Sequence, residues 1–154
     1  MQIVARLNIA PLTDLLEERG LDEGGKAQQV VDSECIRLMD DYTPMDTGQL
    51  KRSVRANTVI GSGELVQATP YARYLYYGKL MVDPKTGKGS FYNPETGEHW
   101  SRPGVSKVLT NRDLNFNQTK SPQAGPHWFE RMVEDHKEEI GQAAAKTAGG
   151  EFRK

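Results

Sequence analysis

Three histidines, a single cysteine and two neighbouring aspartates are the residues of this 154-residue chain whose types suit acid–base, nucleophilic or metal chemistry. Nucleophilic catalysis needs a Ser or Cys beside a base that a third group orients. His99, His127 and His136 fall in no nucleophile motif, and Cys35 lies far upstream of all of them. A zinc site needs converging ligands. His127 and His136 are nine positions apart, which on a helix puts them on opposite sides. Asp40 and Asp41 adjoin at a helix end, where neighbouring side chains diverge. No catalytic residue, metal ligand or cofactor is expected, and the chain reads as a non-enzyme, with His136 at the edge of a core. A third chemistry is phosphate contact. Lys51, Arg52 and Arg55 stand near a run of tyrosines, the residue types of a backbone-tracking surface with stacking rings. The sequence pI of 6.3 lacks the broad positive field such binding rests on, so a nucleic-acid-binding accessory protein is the alternative reading.

Two segments carry more information than these scattered groups. Thr43-Pro44-Met45-Asp46-Thr47-Gly48-Gln49-Leu50-Lys51-Arg52-Ser53-Val54 reads as a helix stop followed by the launch of a strand. Tyr71-Ala72-Arg73-Tyr74-Leu75-Tyr76-Tyr77-Gly78 packs four tyrosines into a short span closed by glycine, as a third strand or a single helical turn. Gly48 supplies a sharp exit and Thr47 a hydroxyl for the local backbone, so both read as structural. On a strand, Tyr71, Tyr74, Tyr76 and Tyr77 would alternate between the core and a neighbouring molecule.

The elements that hold these segments follow from periodicity. Ile3, Ala5, Leu7 and Ile9 alternate as in a half-buried strand, and Pro11 opens a short helix with Leu12, Leu15 and Leu16 on one side and Gly20 as its stop. Asp22 is placed to cap a longer helix in which Ala27, Val30, Val31, Cys35, Leu38, Met39 and Tyr42 recur every three or four residues; Pro44 ends it near Tyr42. Rising β-branched content from Leu50 to Ile60, a Gly61-Ser62-Gly63 turn and a return over Glu64–Thr69 predict a hairpin.

Residues 79–125 form an insertion too long for an ordinary connection. Asp83-Pro84-Lys85-Thr86-Gly87-Lys88 is echoed ten residues later by Asn93-Pro94-Glu95-Thr96-Gly97-Glu98, each a tight turn with a bulge. Leu80–Val82, Ser90–Tyr92 and His99–Ser101 would then make a small projecting meander. Gly125-Pro126 punctuates the return, with Pro126 in the first turn of a C-terminal helix. Phe129, Met132, Val133, His136, Ile140 and Ala144 share that helix's inner face, and Gly149-Gly150 ends it.

A chain this long fits one domain, residues 1–154, and folding a domain of this size removes about 70% of the unfolded surface from water. Hydrophobic residues make up 36%, so the core is modest, and a net charge of -1 argues against disorder of the whole chain. Charge is uneven: residues 1–48 hold four basic against ten acidic residues, whereas 49–78 and 79–125 are each net positive. Such asymmetry suits a head-to-tail contact between copies. One cysteine excludes an intrachain disulfide and fits a reducing compartment, with Cys35 as a small buried hydrophobe. No stretch has the make-up of a signal peptide or membrane span, so the expectation is a soluble protein made in the cytoplasm. The fold class expected is α+β: a small antiparallel sheet with a long helix from the N-terminal half, a C-terminal helix, and a long loop or meander.

Taken in order, Pro44-Met45-Asp46-Thr47-Gly48-Gln49-Leu50-Lys51-Arg52-Ser53, then Tyr71-Ala72-Arg73-Tyr74 to Gly78, then Gly125-Pro126-His127-Trp128-Phe129, resemble the tailed-phage minor capsid proteins related to tail-completion and head–tail joining proteins. The match spans about 85 residues. It departs where Tyr76-Tyr77 stand in place of an acidic residue before the glycine, and in the length of the 79–125 loop. The resemblance implies a structural virion protein that forms a ring in the neck, hexameric or dodecameric. That ring would join the head connector to the tail terminator and tube proteins around the channel through which DNA leaves, touching DNA only in passing and no membrane. It would be made in the cytoplasm of a host bacterium and reside in the virion. Pro44, Asp46, Thr47, Gly48, Leu50, Tyr71, Ala72, Tyr74, Gly78, Pro126, Trp128 and Phe129 match its motifs. Tyr76, Tyr77, Phe91, Tyr92, His99 and Trp100 are the candidate contacts to sister subunits or the tail.

Overall fold

A computed structural model describes residues 18–151, with the backbone alone for His99. The strand expected over Ile3–Ile9 and nearly all of the helix expected after Pro11 lie outside these residues. The fold is α+β. In chain order the elements are α1 (Lys26–Met39), α2 (Gln49–Asn57), α3 (Ala72–Tyr77), β1 (Lys79–Val82), β2 (Phe91–Asn93), β3 (Glu98–Trp100), β4 (Val108–Asp113) and α4 (Trp128–Thr147).

Helix α1 buries Ala27, Cys35, Leu38 and Met39 as its spacing predicts; Ile36, outside that stripe, is buried too, and Val30 and Val31 are half-buried. Asp22 does not cap it with its side chain. The N-cap is Gly25, whose N–H donates to the Asp22 carbonyl at 2.9 Å. At the other end the Thr43 N–H and hydroxyl both donate to the Met39 carbonyl, each at 2.9 Å, and Pro44 prevents continuation. Helix α4 runs antiparallel to α1. The Tyr42 hydroxyl donates to Asp135 at 2.6 Å, and one turn on Arg37 reaches Glu139 at 2.5 Å. Between them lies the core, with Met132 fully buried and Met39, Leu50, Val54 and Trp128 at 3% exposure or less.

The strand expected from Leu50 is a helix. Gly48 sits at φ +79°, turns the chain sharply and starts α2, with the Arg52 N–H donating back to its carbonyl at 3.0 Å. Val54 is the only β-branched residue inside α2, and Leu50, Ser53 and Val54 form a buried i, i+3, i+4 stripe. The β-branched residues that suggested a strand, Thr58, Val59 and Ile60, follow the helix; Val59 is 74% exposed and has no face to bury. The Gly61–Gly63 turn does form, but no hairpin flanks it. The buried carboxylate of Asp32 on α1 accepts from the Gly61 and Gly63 N–H groups at 2.7 and 3.2 Å. Residues 64–69 run back without pairing and lay Leu65 against the core.

The tyrosine segment is the helical turn of the two expected forms. Its tyrosines therefore do not alternate. Leu75 and Tyr76 pack against the core, while Tyr74 and Tyr77 stand exposed. Gly78 ends α3 in the left-handed region and leads straight into β1. β1 pairs antiparallel with β4 (Met81 with Leu109, Val82 with Val108), and β2 with β3 (Phe91 with Trp100, Tyr92 with His99). The expected meander is thus two separate two-stranded ladders. Its outer member was not foreseen: Val108–Asp113 closes back on β1. The β1–β4 ladder meets the helices chiefly at α3, and the β2–β3 hairpin packs broadly on none of them.

Pro126 stands just before α4 rather than in its first turn, because His127 is the N-cap, at φ +48°. Its ring lies against Gly78, where an added Cβ would sit 2.8 Å from the Pro126 Cβ, at φ +66°. Gly78→Ala combines left-handed strain with that overlap. The expected destabilisation is about 2–4 kcal/mol, read from denaturant unfolding. A change of under about 0.5 kcal/mol would show that this junction is looser than described.

Candidate functional site

The three motif segments meet in two places. The first is an aromatic seam where α3 docks on the start of α4. The Tyr76 ring meets Trp128 edge-on at 4.7 Å between centroids and His127 at 5.3 Å; Tyr77 meets Tyr76 at 6.0 Å and His127 at 5.8 Å. The His127 N–H donates to the Tyr76 carbonyl at 2.8 Å, which holds the left-handed N-cap in place. Trp128 is 1% exposed, and its indole N–H donates to Gln67 at 3.0 Å. The Tyr76 hydroxyl donates to Glu130. Burial, then that bond, pushes the Tyr76 phenol above its ordinary range, and the bond draws the Glu130 carboxyl down. Tyr76, expected as an interface residue, is therefore tied into the body, while Tyr77 keeps half its surface in water.

The second meeting place is a cleft of about 500 Å³ lined by Pro44, Met45, Leu50, Tyr71, Leu75 and Phe116, with Asp46, Thr47 and Gly48 at its wall. The Tyr71 hydroxyl donates to the Gln49 amide oxygen at 3.2 Å, tying the first motif to the second. Lys120 donates to the Asp46 carbonyl at 2.8 Å and brings the far end of the insertion to the same wall. Phe116 was not among the residues singled out from sequence. It sits in a stretch with no periodicity, so only the return of the chain from β4 shows it.

Beyond both lies the arm, residues 79–113. Phe91 stacks on Trp100 at 4.6 Å with the rings 23° apart, and Lys88 lies over the Phe91 ring at 5.7 Å. Trp100 is 51% exposed, Tyr92 58% and Leu109 61%. His99 pairs with Tyr92 by its backbone. The arm is braced internally, just past the end of β1. The nearly buried carboxylate of Asp83 takes a two-point ion pair from Arg102, 2.5 Å at each contact, and accepts from the Lys85 and Thr86 N–H groups at 2.8 and 3.2 Å. Arg102 first, with those backbone donors, holds the Asp83 carboxyl down at about 2.

The groups that suit catalysis stay apart. Cys35 is buried in the core, and burial, with Asp32 and Glu34 nearby, raises its thiol. His136 is engaged by Glu139 at 3.1 Å and meets the Tyr42 ring edge-on. Among the described residues no cluster of three or more His, Cys, Asp or Glu is arranged to hold a metal, and no helix is long and apolar enough to cross a membrane. Lys51, Arg52 and Arg55 share α2 but are engaged locally: Lys51 lies 3.2 Å and Arg55 3.9 Å from Asp40, and Arg52 donates to the Thr47 carbonyl. No family model, curated protein or solved structure matches this chain.

Because the folded arm holds the Asp83 carboxyl below its ordinary value near 4, the ionised form is the one that braces it. The brace is complete above about pH 4 and is lost as pH falls from there toward 2. Amide signals of Lys85 and Thr86 followed in an acid titration are expected to move with a midpoint well below 4, and Asp83→Asn to abolish that transition. A midpoint at the ordinary carboxyl value would mean that Arg102 does not engage Asp83 in solution.

Proposed function

We propose that this chain is a structural subunit of a tailed bacteriophage, one copy in a ring of the virion neck that joins the head connector to the tail around the DNA channel. The observation that carries this reading is a division of labour. The motif residues that resemble the head–tail joining proteins are mostly consumed in holding the body together: Gly78 on Pro126, Trp128 in the seam, Tyr71 on Gln49. Tyr92, Trp100, Val108 and Leu109 instead stand open on an arm that meets the helices chiefly at α3, while on the body Val59 and Tyr77 are the most exposed of the large apolar side chains. Surface of that kind, rimmed by polar residues, belongs to proteins that act through contact with other proteins.

The chemistry of the arm fits the same role. Tyr92, Trp100 and Leu109 offer large apolar area at low cost in side-chain entropy, and the Asp83–Arg102 brace fixes the arm's own fold before any partner arrives. A nucleic-acid-binding accessory protein is less well supported, because Asp40 offsets two of the three cations of α2.

Removing the coding sequence from the phage genome is expected to leave filled heads and separate tails that fail to join, with infectivity lost by several orders of magnitude. The wild-type chain supplied in trans should restore joining and be found at the neck by immuno-electron microscopy. Normal, infectious particles assembled without the chain would refute the proposal.

A further inference from the structure

The arm contains one turn twice. The Gly87 N–H donates to the Asp83 carbonyl at 2.8 Å, and the Gly97 N–H to the Asn93 carbonyl, also at 2.8 Å. The Asp83 side chain accepts from the Lys85 N–H at 2.8 Å, and the Asn93 side chain from the Glu95 N–H at 3.0 Å. The Thr86 hydroxyl accepts from the Lys88 N–H, and the Thr96 hydroxyl from the Glu98 N–H, each at 3.4 Å. Gly87 and Gly97 take φ +67° and +70°, and a Cβ on either would meet open space.

Two things differ between the copies. The first residue is Asp in one and Asn in the other, and only the Asp is locked by Arg102. The exposed positions carry opposite charge: Lys85 and Lys88 in the first turn, Glu95 and Glu98 at the equivalent places in the second. The first turn gains a third cation, since Arg112 donates to the Gly87 carbonyl at 3.2 Å. The turns stand at opposite ends of β2, and among the described residues none of these four side chains is in an ion pair. The Glu98 carboxylate takes only a 3.4 Å contact from Thr96, and the Lys88 ammonium lies over the Phe91 ring.

We infer that these turns are the two halves of a contact between copies of this chain, the Lys85/Lys88 turn of one copy meeting the Glu95/Glu98 turn of the next. A head-to-tail contact needs two different, complementary surfaces on each subunit at fixed separation. A repeated backbone with inverted charge on one braced arm meets that requirement, and the geometric match lets each pair of side chains face its counterpart in register. Exposed ion pairs are individually weak, so the turns choose the neighbour and set the register while the stacked Phe91 and Trp100 rings between them, which share one face of the hairpin, supply burial. The inference rests on the ring reading for why copies meet.

The experiment is a charge exchange, read by analytical ultracentrifugation of the whole chain at about 0.02 M and about 0.5 M salt. Lys85→Glu with Lys88→Glu makes both turns acidic, and Glu95→Lys with Glu98→Lys makes both basic. Each variant is expected to self-associate at least about 10-fold more weakly than wild type at low salt, with the difference shrinking at high salt. An equimolar mixture of the two should recover wild-type assembly, and the variant with all four exchanges should assemble alone. Circular dichroism checks that every variant is folded. If wild type and both single-turn variants assemble alike, or the mixture does not recover, the turn contact is wrong while the ring reading stands. A wild-type chain that stays monomeric at every concentration and salt overturns both.

Discussion

Trp128 is the group around which the described structure closes. Its ring fills the space where the end of α1, the extended 64–69 segment, α3 and the first turn of α4 converge, and truncating it would open a cavity beside Met39, Leu65 and Tyr76. Its indole N–H would be costly to bury unpaired, and Gln67 accepts it. The route into that position is narrow. The chain turns through a left-handed His127, anchored to the Tyr76 carbonyl, and Pro126 fits only against a residue without a side chain, Gly78. The glycine that ends one motif and the proline that begins another, nearly fifty residues apart, thus meet as a single steric constraint.

From that junction the molecule divides into a part that packs and a part that presents. The body pairs many of its polar groups internally: Asp32 collects the N–H groups of the Gly61–Gly63 turn, Tyr42 bonds Asp135, and Arg131 donates to the Pro126 and Gln123 carbonyls, while the Gln67 amide nitrogen and the Thr69 and Ser121 hydroxyls are buried without a partner among the described residues. The arm is built differently. A two-stranded ladder is marginal on its own in water. This one is tied by the Leu114 N–H to the Gly78 carbonyl at one end and by Asp83 to Arg102 at the other. Those anchors let it hold apolar rings in the open, which an unbraced loop would bury or disorder.

The sequence told a great deal about the ends of elements and less about their interiors. Pro44 stopping α1, Gly78 stopping α3, the helix from Trp128 with its Met132/Ile140 stripe and the two Pro-Thr-Gly turns were all legible, because each rests on a local steric or hydrogen-bonding rule. The region after Gly48 was misread. Val54, Thr58, Val59 and Ile60 raise strand propensity over the window, yet the i, i+3, i+4 spacing of Leu50, Ser53 and Val54 against a core already formed by α1 outweighs it. Of the candidate contacts, Tyr92 and Trp100 stand in the open, whereas Tyr76 is drawn inward by Trp128 and Glu130.

The chain by itself determined its α+β class, its turns, its single cysteine and the repeat of one turn with reversed charge, since composition and short-range geometry decide those. Tertiary structure alone decided which partners those pieces have: that β1 pairs with a strand some thirty residues away, that Phe116 joins the Pro44–Leu50 wall, and that Arg102 reaches back to Asp83. The physical reason is chain length between contacts. A local rule fixes a dihedral angle, but a contact across tens of residues depends on how every intervening segment has already folded.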